Sequence, residues 1–438
     1  MLNTNKLFSI LFMLVPILLI TGPALPDITI TLCVLYFLIT FIIINKDYEF
    51  IKDKFFLVSI FFWFTILFIS FFAYDKIKSL QDSIIFIRLL IMPTAAFFLL
   101  LNSKKKIKFA ITIIFICICF VLIDTLFQFI NYNSEFGFQN DLLGFIPDWY
   151  GRLTGPFGNE LVPGAYVSKF GLLGYLFFCF INKIKYQNFL EILYLSTLGL
   201  VCFASGERMA LATLFLALFF LLLFLKNKRI ILLFSIMLSL IFIIISYKFH
   251  PFYNDFTIIN STHYHQGLTI EKFFECNNAT SQKCTKIINL QPSFLEIIKN
   301  FGSSAYGEIY KVGLSMFMNN PLTGVGISNY QTSCMNIEKY NQLMVNYDCA
   351  SHPHNTYIQW LSEGGIITLF SFVFFLFSIL YFLINGTNQT IFKLISIASL
   401  IILFWPIMST GSLIKNWNGV LTFYIISLCI SLNRIKIN

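Results

Sequence analysis

Charge is what this chain has little of. Only 12% of its 438 residues are Asp, Glu, Lys or Arg, and 57% are hydrophobic, whereas soluble domains carry about 25% charged residues. That shortage excludes an ordinary soluble domain. No basic stripe interleaved with aromatics occurs, so the net charge of +9 does not point to nucleic acid. CxxC spacing is absent, which speaks against a metal site. No internal repeat stands out, which speaks against a rocking transporter built from paired halves. No small-residue cleavage site follows the apolar stretch Met1 to Ile20, so that stretch is expected to remain as a first helix.

Long apolar runs are what the chain has instead. They lie near 7–22, 26–44, 55–73, 84–101, 109–131, 162–181, 189–205, 208–225, 230–247, 365–384, 392–409 and 419–433. Runs of about 16 to 23 residues suit membrane-spanning helices. The expected fold is an all-α polytopic membrane protein with about twelve transmembrane helices. Most cations fall in alternate loops: Lys46, Lys52 and Lys54; Lys104, Lys105, Lys106 and Lys108; Lys183 and Lys185; Lys226, Lys228 and Arg229; Lys393. With Lys6, Arg434 and Lys436 they share one side, which the positive-inside rule makes cytoplasmic. Both termini are then cytoplasmic.

Two outward segments are long, 132–161 and 248–364. The expected organisation is therefore residues 1–247 with helices 1–9, a large periplasmic loop at 248–364 between helices 9 and 10, and residues 365–438 with helices 10–12 and a cytoplasmic tail. The loop reads as short helices and turns, punctuated by Pro292, Pro321 and Gly324-Val325-Gly326. It holds Cys276, Cys284, Cys334 and Cys349. Two disulfides are expected, and local pairing (276 with 284, 334 with 349) is the simplest of three connectivities. Four free thiols are the other reading.

Cations inside the outer ends of helices need a reason. Arg88 falls about 6 Å and Lys169 about 10 Å inside their runs, with Arg208 at a boundary. Arg152 lies in the outward loop 132–161. A lipid diphosphate would explain all four, because guanidinium and ammonium groups bind phosphate oxygens. Snorkelling is the plainer explanation for Arg88 and Arg208. For Lys169 it is an ion pair. Asp124, four residues before Gln128 on one helix face, is a candidate partner for Lys169 or Arg88. Glu207 is a local partner for Arg208.

Two of only five histidines sit in Ser351-His352-Pro353-His354-Asn355-Thr356-Tyr357, just ahead of an apolar run. Pro353 fixes its own φ and pushes His352 into an extended conformation. His354 and Asn355 are then presented where the next element starts. An imidazole there is suited to accept a proton, and His354 is the favoured base. His352 also reads as a surface residue.

These residues carry a resemblance. His352-Pro353-His354-Asn355-Thr356-Tyr357 followed by Leu361-Ser362-Glu363-Gly364-Gly365 resembles the signature of the O-antigen ligase / O-antigen polymerase superfamily. Asn320-Pro321-Leu322-Thr323-Gly324-Val325-Gly326 is similar to its proline-glycine segment. Ser205-Gly206-Glu207-Arg208-Met209-Ala210-Leu211 is similar to its helix-start motif. Arg152 with Gly155-Pro156-Phe157-Gly158 is similar to its outward loop. The resemblance runs in order over roughly residues 80–370.

It implies a GT-C-like, metal-independent glycosyltransferase without cofactor, acting on the periplasmic face of the bacterial inner membrane. The implied donor is a glycan on undecaprenyl pyrophosphate. The acceptor is a hydroxyl: that of lipid A–core in the favoured ligase branch, of another lipid-linked repeat in the polymerase branch, or of protein Ser or Thr in a third. His354 is then the catalytic base, and Arg152, Arg208, Lys169, Arg88, His352 and Asn355 are substrate contacts. Some members carry a further Arg before the proline-glycine segment. Here Ser304 to Lys311 holds none, leaving Lys311 or Lys299 as substitutes. A polysaccharide flippase is the reading from a different class.

Overall fold

The structure is a computed structural model that describes residues 2–133, 137–147, 151–181, 185–254, 257–260, 274–275, 285–290, 299–386 and 388–436. It divides into two compact units. The first joins Met1–Ile113 to Ala305–Asn438; the second is Ile114–Ser304.

Helices in chain order are α1 Leu2–Met13, α2 Val15–Ile20, α3 Ala24–Leu38, α4 Lys54–Ser70, α5 Lys76–Ala95, α6 Lys104–Ile130, α7 Pro163–Tyr175, α8 Phe177–Phe180, α9 Gln187–Ala204, α10 Arg208–Phe224, α11 Arg229–Phe249 and α12 Pro251–Asn254. They continue with α13 Ala305–Asn319, α14 Tyr330–Asn336, α15 Glu338–Asn341, α16 Thr356–Ile384, α17 Thr390–Phe404 and α18 Asn416–Arg434. Each apolar run of the sequence is helical over most of its length. Among the described residues, six stretches are long and apolar enough to cross a membrane: Ala24–Ile44, Lys76–Leu100, Lys104–Ile130, Gln187–Ala204, Lys226–Phe249 and Thr356–Ile384. Lys54–Ser70, Arg208–Phe224 and Thr390–Phe404 are shorter apolar helices. The first run is broken at Leu14, two residues before Pro16, into α1 and α2.

Two helix starts lie earlier than the hydropathy suggests. Asp75 caps α5 by accepting from the Lys78 amide, so the helix begins eight residues before the run at 84. Asn355 caps α16, which begins nine residues before Gly365.

In the first unit, α4, α5, α16 and α18 pack together. Phe62 is the hub of this core, with Trp360, Phe86, Phe372 and Phe375 around it. Every residue of α18 from Asn418 to Asn433 is buried, as expected of a helix apolar on all sides. Helix α13 lies against α16. In the second unit, α9 packs on α7 and α11, and α10 closes on α7. Glycines set these distances: a Cβ on Gly171 would stand 2.7 Å from the Leu198 side chain, and one on Gly199 would stand 2.1 Å from Ser239 Oγ.

The long segment 248–364 is not all helices and turns. Strands β3 Thr257–Asn260, β4 Phe274–Glu275 and β5 Thr285–Leu290 form a sheet in the order β3-β5-β4, with β3 parallel and β4 antiparallel to β5. The β-branched runs Thr257-Ile258-Ile259 and Ile287-Ile288 favour strands. A short hairpin, β1 Tyr132–Asn133 and β2 Gly137–Phe138, follows α6.

Candidate functional site

The histidine segment is held by the first unit alone. Asn355 Oδ1 accepts from the amides of Tyr357 at 3.0 Å and Ile358 at 3.1 Å, which starts α16. Its Nδ2 donates to the carbonyls of Pro406 at 2.8 Å and Met408 at 3.3 Å. The loop between α17 and α18 is thus stitched to this corner. Thr410 reinforces the seam: its amide donates to the His354 carbonyl at 2.7 Å, and its hydroxyl lies 3.0 Å from that of Thr356.

The two histidines are in different states. His352 is buried. Its Nε2 lies 3.3 Å from the Thr410 carbonyl, which can only accept, so Nε2 carries the proton. Its Nδ1 then accepts from Ser351 Oγ at 2.9 Å. Both nitrogens are engaged. Burial, followed by the charges of His354 and Lys415, pushes His352 down to about 3.

His354 is half-buried, and no hydrogen bond of its ring occurs among the described residues. Its backbone sits at φ 52°, a left-handed conformation that a non-glycine residue adopts at a cost. The ring packs 4.1 Å from that of His352 and edge-on to Tyr306 at 5.9 Å. Burial first, then the positive charge of Lys415, holds it below the ordinary imidazole range. At neutral pH this is an unprotonated base with a free ring nitrogen.

Two glycine-bearing motifs, 40 residues apart in sequence, form one device beneath the segment. The amide of Val325 donates to the Ser362 carbonyl at 2.9 Å, that of Gly326 to the Glu363 carbonyl at 2.8 Å, and that of Ile366 to the Pro321 carbonyl at 2.9 Å. Gly365, at φ 62° and ψ −165°, breaks the helical path of α16 to allow this. A Cβ on Gly324 would stand 2.5 Å from the Ser362 carbonyl oxygen. Glu363 in turn accepts from the Tyr330 amide at 3.3 Å and from Gln359 Nε2 at 3.1 Å.

Just upstream, Cys334 and Cys349 form a disulfide spanning 15 residues, as the local pairing anticipates. It lies in a core with Ile309, Val312, Met316 and Tyr340. Cys276 and Cys284 lie outside the described residues.

The second unit gathers a cation cluster. The carboxylate of Glu207 accepts from the amides of Gly164 at 2.8 Å and Ala165 at 3.0 Å, at the N-terminus of α7, where an anion is favoured. Arg152 and Lys169 both lie within electrostatic reach of Glu207, and Arg208 within reach of Arg152. Arg152 Nη2 donates to the Leu161 carbonyl at 3.2 Å. The turn closes tightly: Gly206 is at φ 75°, where a Cβ would stand 2.9 Å from the Gly151 carbonyl oxygen. Two cations therefore flank one carboxylate, and a third, Arg208, lies near one of them.

Arg88 belongs to the first unit and forms an ion pair with Asp27 of α3, with Asn416 at 3.4 Å. The expected pairing of Asp124 with Lys169 or Arg88 is corrected. Asp124 accepts from the Leu142 amide, and Gln128 binds the Thr154 and Gly155 amides. Arg88 finds its partner 61 residues upstream instead. Asn355 has its oxygen and both amide hydrogens committed to the scaffold. Among the described residues, no three His, Cys, Asp or Glu side chains gather as metal ligands would.

Sequence reasoning missed Tyr306, Thr410 and Lys415. Lys415 had a signal: in the expected topology it is a cation in a short loop on the side where the positive-inside rule disfavours one.

Apolar helices of this length define a membrane protein; in its first unit an imidazole without a hydrogen bond among the described residues stands where one of them starts, and its second unit holds a cation cluster. The family model described as O-antigen ligase matches residues 193–373. That stretch runs from α9 into α16 and includes the Ser205–Leu211, Asn320–Gly326 and His352–Tyr357 motifs. The match supports the resemblance to the O-antigen ligase / O-antigen polymerase superfamily and a function of that type. No curated protein matches the chain.

Proposed function

We propose that the protein is a glycosyltransferase acting at the periplasmic face of the bacterial inner membrane. It moves an O-antigen-type polysaccharide from undecaprenyl pyrophosphate to an acceptor hydroxyl, that of lipid A–core. About twelve helices cross the bilayer in this reading, with both termini cytoplasmic. The observation that carries it is the contrast between the two imidazoles: His352 has both nitrogens engaged, and His354 is neutral with its ring free.

His354 takes the proton of the acceptor hydroxyl. That oxygen attacks the anomeric carbon, the bond from that carbon to the pyrophosphate oxygen breaks, and undecaprenyl pyrophosphate leaves. One displacement inverts the anomeric configuration. Arg152, Lys169 and Arg208 attract the diphosphate and stabilise charge growing on it. The reaction so written needs no metal. Arg88 and Asn355 serve the scaffold, and His352 orients the segment.

The test is glycan transfer by the purified protein in detergent, where no sealed compartment exists and a flippase would give no product. General-base catalysis contributes about 10²- to 10⁴-fold, so His354→Ala should lose that much turnover while unfolding at the wild-type temperature. Full activity of the variant would overturn the assignment. Deletion of the gene separates the branches: loss of all O-antigen with accumulated lipid-linked polymer marks a ligase, and a single-repeat species marks a polymerase.

A further inference from the structure

Asp124, Gln128 and Asp141 are buried polar side chains of the second unit that the proposed chemistry does not use; none is more than 1% exposed. All three bind the backbone of one short loop. Leu142 donates its amide to Asp124 Oδ1 at 3.1 Å. Asp141 Oδ1 accepts from Leu143 at 2.9 Å and Phe145 at 2.7 Å. The Asp141 and Gly144 amides are closed within the loop, onto Phe145 and Asp141 carbonyls at 2.9 Å and 3.3 Å, and Gln128 Nε2 donates to the Phe145 carbonyl at 3.1 Å. All five amide hydrogens from Asp141 to Phe145 therefore have partners.

The side chains of the same loop point the other way. Leu142, Leu143, Phe145 and Ile146 are between 41% and 55% exposed. Amide hydrogens satisfied inside and four large apolar side chains outside are the reverse of an aqueous surface loop. Hydrocarbon demands this of amides, since lipid offers them no hydrogen bond.

Its depth agrees. The Gln139 amide donates to the Asn131 carbonyl at the end of α6, at 2.8 Å. Three residues later the chain binds Asp124, seven residues back down that helix. At 1.5 Å rise per residue the loop has descended about 10 Å along α6, a distance three extended residues can cover at roughly 3.3–3.6 Å each. Helix α6 is one of the six stretches long and apolar enough to span a bilayer. Its own Ile123, Phe127 and Ile130 are exposed and continue the apolar surface.

We propose that Leu142–Ile146 is a re-entrant membrane anchor, inserted among the acyl chains of the leaflet at the C-terminal end of α6. Asp124, Gln128 and Asp141 are buried because they take the place of water for its backbone. The anchor fixes the depth of the outward loop that carries Arg152.

Photo-crosslinking tests this on the full chain reconstituted into phosphatidylcholine vesicles. A benzoylphenylalanine replaces Leu143 or, separately, Ile146. Phe127 on α6 is the lipid-facing reference. Val345, 77% exposed near the disulfide, controls for exposure alone. The expected result is a mass increase of one phospholipid at 143 and 146, with yields like those at 127, and none at 345. Absence of the lipid adduct at both loop positions while Phe127 gives it, or crosslinking there to a second copy of the chain, overturns the proposal.

Discussion

Replacing Gly365 by Ala tests whether the two glycine motifs act as one device. The residue sits at φ 62°, ψ −165°, a region that is essentially restricted to glycine and costs other residues about 1–3 kcal/mol. The added Cβ would stand 2.3 Å from the Leu322 carbonyl oxygen and 2.6 Å from the Thr323 nitrogen. Both are backbone atoms, so no side chain can rotate away. Relief requires moving residues 320–326 off α16. That breaks the hydrogen bonds of Val325, Gly326 and Ile366, each worth about 0.5–1.5 kcal/mol net. The expected loss is about 3–7 kcal/mol, a large fraction of the roughly 5–15 kcal/mol that holds a typical domain folded. Gly158 is the control. It is also left-handed, at φ 65°, but a Cβ there would meet nothing within 4 Å, so Gly158→Ala should show the dihedral cost alone. Thermal unfolding of the purified protein in detergent compares them, with transfer activity as second readout. Wild-type melting of G365A, or equal damage from G158A, would refute the interlock.

Lys415→Ala should shift the acid limb of kcat/KM to higher pH, because removing the neighbouring cation lets His354 hold its proton more readily; Lys415 is exposed and screened, so the shift is expected to be small. Lys415→Arg should leave the limb in place, and an unmoved limb in the alanine variant would exclude the coupling. His352 gives a pH-dependent stability. Its folded value is about 3 against an ordinary 6.5, so below 6.5 the unfolded chain takes up a proton that the folded one refuses, and stability falls as pH drops from there toward 3. Melting temperature should decline over that window, and more gently in His352→Gln. Cys334→Ser with Cys349→Ser opens a loop of 15 residues, a change worth about 3 kcal/mol by chain entropy. Faster proteolysis within 335–348 and lower turnover are expected, and a variant as resistant as wild type would show that the surrounding core holds the segment unaided.

Much of the scaffold was readable because a membrane helix announces itself by length and apolarity. The same rule misplaced the start of α16. Ser362-Glu363-Gly364-Gly365 reads as a polar boundary, yet the backbone groups freed at Gly365 are taken up by Asn320–Gly326, so the helix resumes beyond it. Hydropathy cannot register a partner that distant. Ion pairs failed for the same reason: Asp124 lay nearer in sequence to Lys169 than Asp27 did to Arg88, but tertiary packing chose the pair. The role of Asp124 was hidden because its partner is a backbone amide, a group every sequence contains. Within the site, the preference for His354 rested on Pro353 and on the position before the helix. The distinct engagement of His352 depends on Thr410, which no local pattern links to it. Tyr306 was illegible because an aromatic ring in a chain with 54 Phe and 20 Tyr attracts no notice.

The seam between His354 and Thr410 sets an order of assembly. Residue 410 is synthesised 56 residues after residue 354, about 3–11 s later at roughly 5–20 residues per second. Until then Asn355 has no Pro406 or Met408 carbonyl to bind, and Thr410 cannot hold the His354 backbone. A nascent chain that stops short of α17 carries the whole histidine motif and none of its geometry. On the proposed mechanism, chemistry is thereby withheld until α17 and the loop that follows it are in place.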